Sequence, residues 1–234
     1  MILYGRNPVR EALRGRRSHA VGEVWVTAGV AREPWLAGVR VQSASAEEVQ
    51  QRCGSTAHQG ICAEAGGYPY CSAEELFAGA DPLVVVLDQV QDPQNLGSIC
   101  RTAECAGAAG VVIGERRAAE VTPAVCKASA GAVEHLKVAR VRNIADFLAD
   151  ARGAGCWCYG ASGEAKVAYD APDYSGGGVV LVLGSEGRGL RPRVAGACDE
   201  LIALPMRGTV GSLGVSAAAA AVLYEILQNR RGGS

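Results

Sequence analysis

The chain has 234 residues, a formal net charge of −1 and 49% apolar residues, enough length for one large domain or two modest ones with real cores. No apolar run reaches membrane-spanning length, and no basic segment followed by an apolar stretch opens the chain, so a cytoplasmic protein without a membrane span is expected. The near-neutral charge argues against a nucleic-acid-binding field spread over the whole surface.

The first elements read as a small α/β unit. Asn7-Pro8 reads as a cap and first turn of a helix ending near Gly15. Glu23–Thr27 and Val39–Gln42 alternate like strands, Ser45-x-x-Glu48 is a capping box for a helix to about Arg52, and Gln59–Glu64 is a further strand. Gly66-Gly67-Tyr68-Pro69 then reads as the start of a linker. The expected division is a first domain over 1–67, a linker over 68–80 and a second domain over 81–234.

From Asp81 onward longer apolar strands alternate with helices. Strands are expected at 83–88, 111–113, 136–141, 156–160, 179–183 and 200–204, and helices at 95–107, 122–130, 143–152 and 214–229. This alternation predicts an α/β fold with a parallel sheet covered on both faces. Three strands open into loops rich in turn residues: Asp88–Gly97, Gly184–Leu190 and Pro205–Gly214. Loops at the carboxyl ends of parallel strands form ligand crevices. After the first of them, Leu96, Ile99, Cys100 and Ala103 mark a buried helical face, with Asn95 at the helix start and Arg101 off that face.

Nine cysteines include no C-x-x-C pair, so reduced thiols, mostly buried, are expected rather than a disulfide framework or a metal site. Arginine outnumbers lysine twenty to three. Five arginines against Glu11 alone lie within the first 17 residues, and others gather at Arg116-Arg117, at Arg188, Arg191 and Arg193, and at Arg230-Arg231. Guanidinium suits phosphate contacts, although the codon preference of a GC-rich genome would produce the same excess.

The segments Asn95–Gly107, Leu181–Leu190 and Leu204–Ser216 resemble the three motifs of the SpoU/TrmH 2′-O-ribose RNA methyltransferases, members of the SPOUT class. Ser129–Asn143, Tyr4–Leu13 and His58–Ile61 are similar to the branch that methylates a guanosine of large-subunit (23S) ribosomal RNA. The resemblance implies an N-terminal RNA-binding domain similar to a ribosomal-protein fold and a second domain whose C-terminal chain forms a trefoil knot. It also implies S-adenosylmethionine as cofactor, RNA as partner, and a homodimer with its sites near the interface.

Carried onto this chain, the resemblance places Gly184, Leu204, Met206 and Leu213 at the cofactor, and gives Arg101, Asn95, Glu186 and Ser212 catalytic roles. Taken singly, Leu204 and Leu213 also read as core residues, Gly184 as a strand-end turn, and Asn95 and Ser212 as helix caps. A guanidinium stays protonated in proteins, so Arg101 suits holding a phosphate and lowering the hydroxyl's pKa better than acting as a base. A dinucleotide site is disfavoured, because Gly184-x-x-Gly187-x-Gly189 lacks the G-x-G-x-x-G spacing. Gly214 departs from the family pattern, which usually has asparagine there. That exchange keeps the loop shape and loses an amide, which motivates a competing reading as a non-catalytic RNA-binding or ribosome-assembly protein. A transfer RNA methylase or an antibiotic-resistance methylase is a third reading.

Overall fold

The computed structural model describes residues 1–232 as two sheets with their helices. The first sheet has the order β1-β4-β2-β3, from β1 (Ile2–Tyr4), β2 (Val21–Val26), β3 (Val41–Ser43) and β4 (Ile61–Ala65). Helices α1 (Arg6–Arg14) and α2 (Ala46–Cys53) complete this unit. Period-two alternation divides its strands. Leu3, Val24, Val26, Ile61 and Ala63 face α1 and the second domain, whereas Trp25 and Cys62 pack with Val49 of α2. The Ser45 capping box is formed as expected, with both reciprocal hydrogen bonds. Helix α1 departs from expectation. It is capped by Gly5 at φ 95°, not by Asn7, because the chain leaves β1 through a left-handed turn and enters the helix two residues early.

Residues 68–80 are docked against the second domain. The Tyr68 hydroxyl donates to the Leu136 carbonyl at 2.6 Å, and the Cys71 N–H donates to the Val138 carbonyl at 3.0 Å. Leu76 is fully buried, and Phe77 stacks on Phe147 with ring centroids 5.4 Å apart.

The second sheet is parallel throughout, in the order β7-β6-β5-β10-β8-β11-β9. Its strands are β5 (Leu83–Asp88), β6 (Gly110–Gly114), β7 (Lys137–Val141), β8 (Cys156–Ala161), β9 (Val167–Ala168), β10 (Gly178–Gly184) and β11 (Glu200–Ala203). Its helices are α3 (Pro93–Cys105), α4 (Pro123–Ala128), α5 (Ile144–Gly153), α6 (Pro192–Ala195) and α7 (Val215–Gly232). Leu83, Val85, Leu87, Leu181 and Leu183 join α3, α4 and α7 on one face. Val84, Val86, Val180 and Val182 join α5 and α6 on the other. Burial on both faces explains why these strands read as unbroken apolar runs. The short strands β1 and β9 and helix α6 were not expected, since two to four residues carry no readable period. Among the described residues no helix is long and apolar enough to cross a membrane.

One face of the first sheet and one face of the second share a continuous apolar core. At that junction the side chains of Arg17 and Glu134, each 1% exposed, form a bidentate pair at 2.7 and 2.5 Å. Arg17 also donates to the Gly66 carbonyl at 3.1 Å.

Candidate functional site

The loops following β5, β10 and β11 converge at the carboxyl end of the parallel sheet. Parallel pairing sets Gly184 beside Asp88, so the loops after β5 and β10 leave adjacent strand ends. The β10 loop is pinched: Ser185 and Gly189 exchange two backbone hydrogen bonds, at 3.2 and 2.9 Å. A Cβ on Gly184 would run into the Gly189 carbonyl, so this turn requires glycine.

Beneath these loops lies a hollow of about 820 Å³. Gly184, Leu204, Met206 and Leu213 all line it, together with Glu186 and Ser212. Its floor is apolar, from Leu183, Ile202 and Val222, while glycines leave much of its rim as bare backbone. An apolar floor with a few polar groups is the usual form of a small-molecule site. A second hollow of about 370 Å³ adjoins it, lined by Gln89, Asp92, Asn95 and Arg188, and shares Ser185, Glu186 and Val215 with the first.

Glu186 is the hinge between the two. Its Oε1 accepts from Asn95 Nδ2 at 3.0 Å, so two motifs 91 residues apart meet in one hydrogen bond. Asn95 is free to do this because it is not the helix cap. Asp92 caps α3, accepting from the Gln94 N–H at 2.9 Å, and Pro93 opens the helix. Ser212 is likewise outside the capping position, because the Gly214 carbonyl takes the Ala218 N–H that anchors the start of α7.

Arg101 stands apart. Leu96, Ile99, Cys100 and Ala103 of its helix are buried as expected, but Arg101 is exposed and lines neither hollow. Gly214 adopts φ 76°, the left-handed conformation that asparagine also tolerates, and a Cβ there would stand 3.7 Å from Glu186 Oε1. Residues Ala161–Gly163 and Tyr169 also line the larger hollow and were not foreseen. The signal for Ala161–Gly163 was present, since they follow an expected parallel strand directly at its carboxyl end.

The buried thiols offer no nucleophile. Burial pushes Cys100, Cys126 and Cys158 up to about 12 and Cys62 up to about 11, and partial burial does the same for Cys198, up to about 12.

Comparison with known proteins identifies the family. Residues 82–224 match the SpoU rRNA Methylase family, and residues 2–71 match the RNA 2′-O ribose methyltransferase substrate-binding family. A Bacillus subtilis protein described as a TrmH family tRNA/rRNA methyltransferase is 39% identical over 198 residues, covering 82% of this chain and 79% of its own. One from Staphylococcus haemolyticus with the same description is 33% identical and covers 98% of this chain and 96% of its own. An AdoMet-bound rRNA methyltransferase from Sinorhizobium meliloti superposes with a TM-score of 0.80 at 25% identity, over 97% of this chain and 86% of that one. With its parallel sheet, its loop motifs and nearly all of its length matched, the chain belongs to the SpoU rRNA methylase family, behind an N-terminal substrate-binding domain.

Proposed function

We propose that this protein is an RNA 2′-O-ribose methyltransferase that uses S-adenosylmethionine and acts on a guanosine of large-subunit ribosomal RNA. The observation that carries the reading is the wall shared by the two hollows: Glu186, held by Asn95, borders both. A donor in the larger hollow and a nucleoside in the smaller one are then within reach of each other, the main requirement for a displacement at carbon. The cofactor supplies an electrophilic methyl group on a sulfonium.

This chain's residues supply the rest. Gly184, Leu204, Met206 and Leu213 would hold the cofactor, the apolar side chains and the open glycine backbone of the hollow supplying its contacts. Asn95 and Glu186 orient the target nucleoside, and Ser212 meets it from the larger hollow, which it lines. Arg101 holds the target phosphate and lowers the pKa of the hydroxyl that must lose its proton. Since Arg101 lines neither hollow of its own chain, the reading includes a homodimer in which it serves the partner's site. The knotted C-terminal path expected of the class fits α7 returning to pack against α3.

Purified protein incubated with methyl-labelled cofactor and either ribosomal or transfer RNA tests the reaction and its substrate together. Ribose methylation of the large-subunit RNA is expected; binding of RNA without methylation of either would overturn the enzymatic reading and favour an RNA-binding role, for which Gly214 speaks. Mixing Arg101→Ala and Glu186→Ala protomers tests the dimer. A shared site predicts recovery of about a quarter of wild-type activity, since half the dimers are mixed and each has one intact site. No recovery places Arg101 in its own chain's site.

A further inference from the structure

A third hollow, of about 260 Å³, opens at the same end of the sheet, beyond β5 toward β7. Arg116, Arg117, Arg142 and Arg191 line it with Asp88 and Gln89. Asp88 is the single carboxylate among the lining residues, and its charge is already committed. Fully buried, it accepts from the Arg191 N–H at 2.9 Å and from Arg191 Nε at 2.7 Å. Arg116, Arg117 and Arg142 form no ion pair among the described residues, although nearby Arg140 pairs with Glu120 at 2.9 Å. Gathering like charges around one cavity raises the positive potential there and favours entry of an anion.

Two further features mark the place as built. Gln89 and Arg117, both lining residues, adopt φ of 63° and 55°, two of the four non-glycine residues with positive φ among the described residues. Such conformations persist where the surrounding structure holds them against their strain. Gln89 also lines the hollow that contains Asn95 and Glu186, so the arginine pocket continues directly from the nucleoside pocket.

We infer that the arginine pocket binds a phosphodiester of the RNA chain, that of a nucleotide neighbouring the target. The inference rests on the reading of the adjoining hollow as the target-nucleoside site. The fork of a guanidinium matches two phosphate oxygens, and three unpaired forks around one cavity suit a bridging phosphate better than a base edge. The pocket thus sets which nucleotide reaches Glu186 by gripping the backbone beside it, without reading sequence.

The test uses the full chain with Arg116→Gln and Arg117→Gln combined, both at exposed positions. Affinity for a fluorescent single-stranded fragment of large-subunit RNA is measured over a salt series, with cofactor affinity and steady-state kinetics alongside. The expected result is RNA affinity lowered roughly tenfold at 0.1 M salt, with the log–log salt slope shallower by about 0.7 for each phosphate that the protein no longer neutralises. KM for RNA rises, while kcat and cofactor affinity stay within about twofold of wild type. Unchanged RNA affinity and slope would overturn the inference even if methylation proceeds normally. Arginine-dependent calorimetric binding of inorganic phosphate, with RNA affinity unaffected, would overturn it in favour of a free anion. A reduced slope in a protein that methylates nothing would uphold the pocket and sink the methyltransferase reading instead.

Discussion

Removing Glu134 tests what holds the two domains together. Arg17 and Glu134 are each 1% exposed, and the carboxylate accepts from both Nε and Nη2 of the guanidinium. Burial alone would lower the Arg17 pKa, but the hydrogen bonds and charge of Glu134 outweigh it and raise the pKa. Glu134→Ala leaves a guanidinium buried and charged, with the Gly66 carbonyl as its main remaining oxygen acceptor. Breaking such a pair from one side costs about 3–5 kcal/mol, a large share of the roughly 5–15 kcal/mol that stabilises a folded protein. For a chain of this size that lowers Tm by roughly 6–20 °C, at about 2–4 °C per kcal/mol. Thermal unfolding followed by calorimetry measures the drop. Replacing both partners, Arg17→Met with Glu134→Leu, removes the stranded charge and recovers most of the loss. A Tm for Glu134→Ala within about 2 °C of wild type, or a double variant no better than the single one, would show that this pair does not hold the junction together.

Gly214→Asn is expected to keep the loop, since φ there is 76°, and to direct its amide toward Glu186, raising turnover; methylation rates of the two proteins check it. A fall in turnover with unchanged cofactor binding would show that Glu186 needs the open space. Alkylation by iodoacetamide at neutral pH, read by mass spectrometry, is expected to label exposed Cys105 readily. It should spare Cys100, Cys126 and Cys158 until the protein unfolds, because burial holds their thiols protonated up to about 12. Glu11 accepts from His135 at 2.9 Å across the domain junction; burial opposes its ionisation, yet hydrogen bonds from His135 and Arg10 bring its pKa below 4.5. Its contribution to stability is therefore complete above pH 4.5 and is lost as pH falls through the lower folded value, an acid limb that Glu11→Gln should flatten in pH-dependent urea melts.

The parallel sheet was legible because strands covered on both faces must be apolar at every position, as Leu83–Leu87 and Val179–Leu183 are. The site loops were legible for a related reason: glycine marks the close approach at Gly184 and the left-handed turn at Gly214. Pairings between distant segments were not. Asn95 read as a cap because its type suits one, and only the fold shows Asp92 taking that task and releasing Asn95 to Glu186. The Arg116-Arg117 and Arg191 groups stood out as separate clusters, and nothing in their spacing said that they share one cavity. The burial of Arg17 was illegible too, since an arginine in a basic N-terminal stretch reads as exposed until its partner 117 residues away is known.

The central position of β10 carries a consequence for synthesis on the ribosome. β5 pairs with β6 on one side and with β10 on the other, and 89 residues lie between Asp88 and Gly178. At about 5–20 residues per second, one edge of β5, apolar from Leu83 to Leu87, stays unpaired for several seconds while the intervening chain emerges. The nascent polypeptide is therefore most prone to aggregate midway through translation, and a chaperone that shields that edge would matter more to yield than to the finished fold.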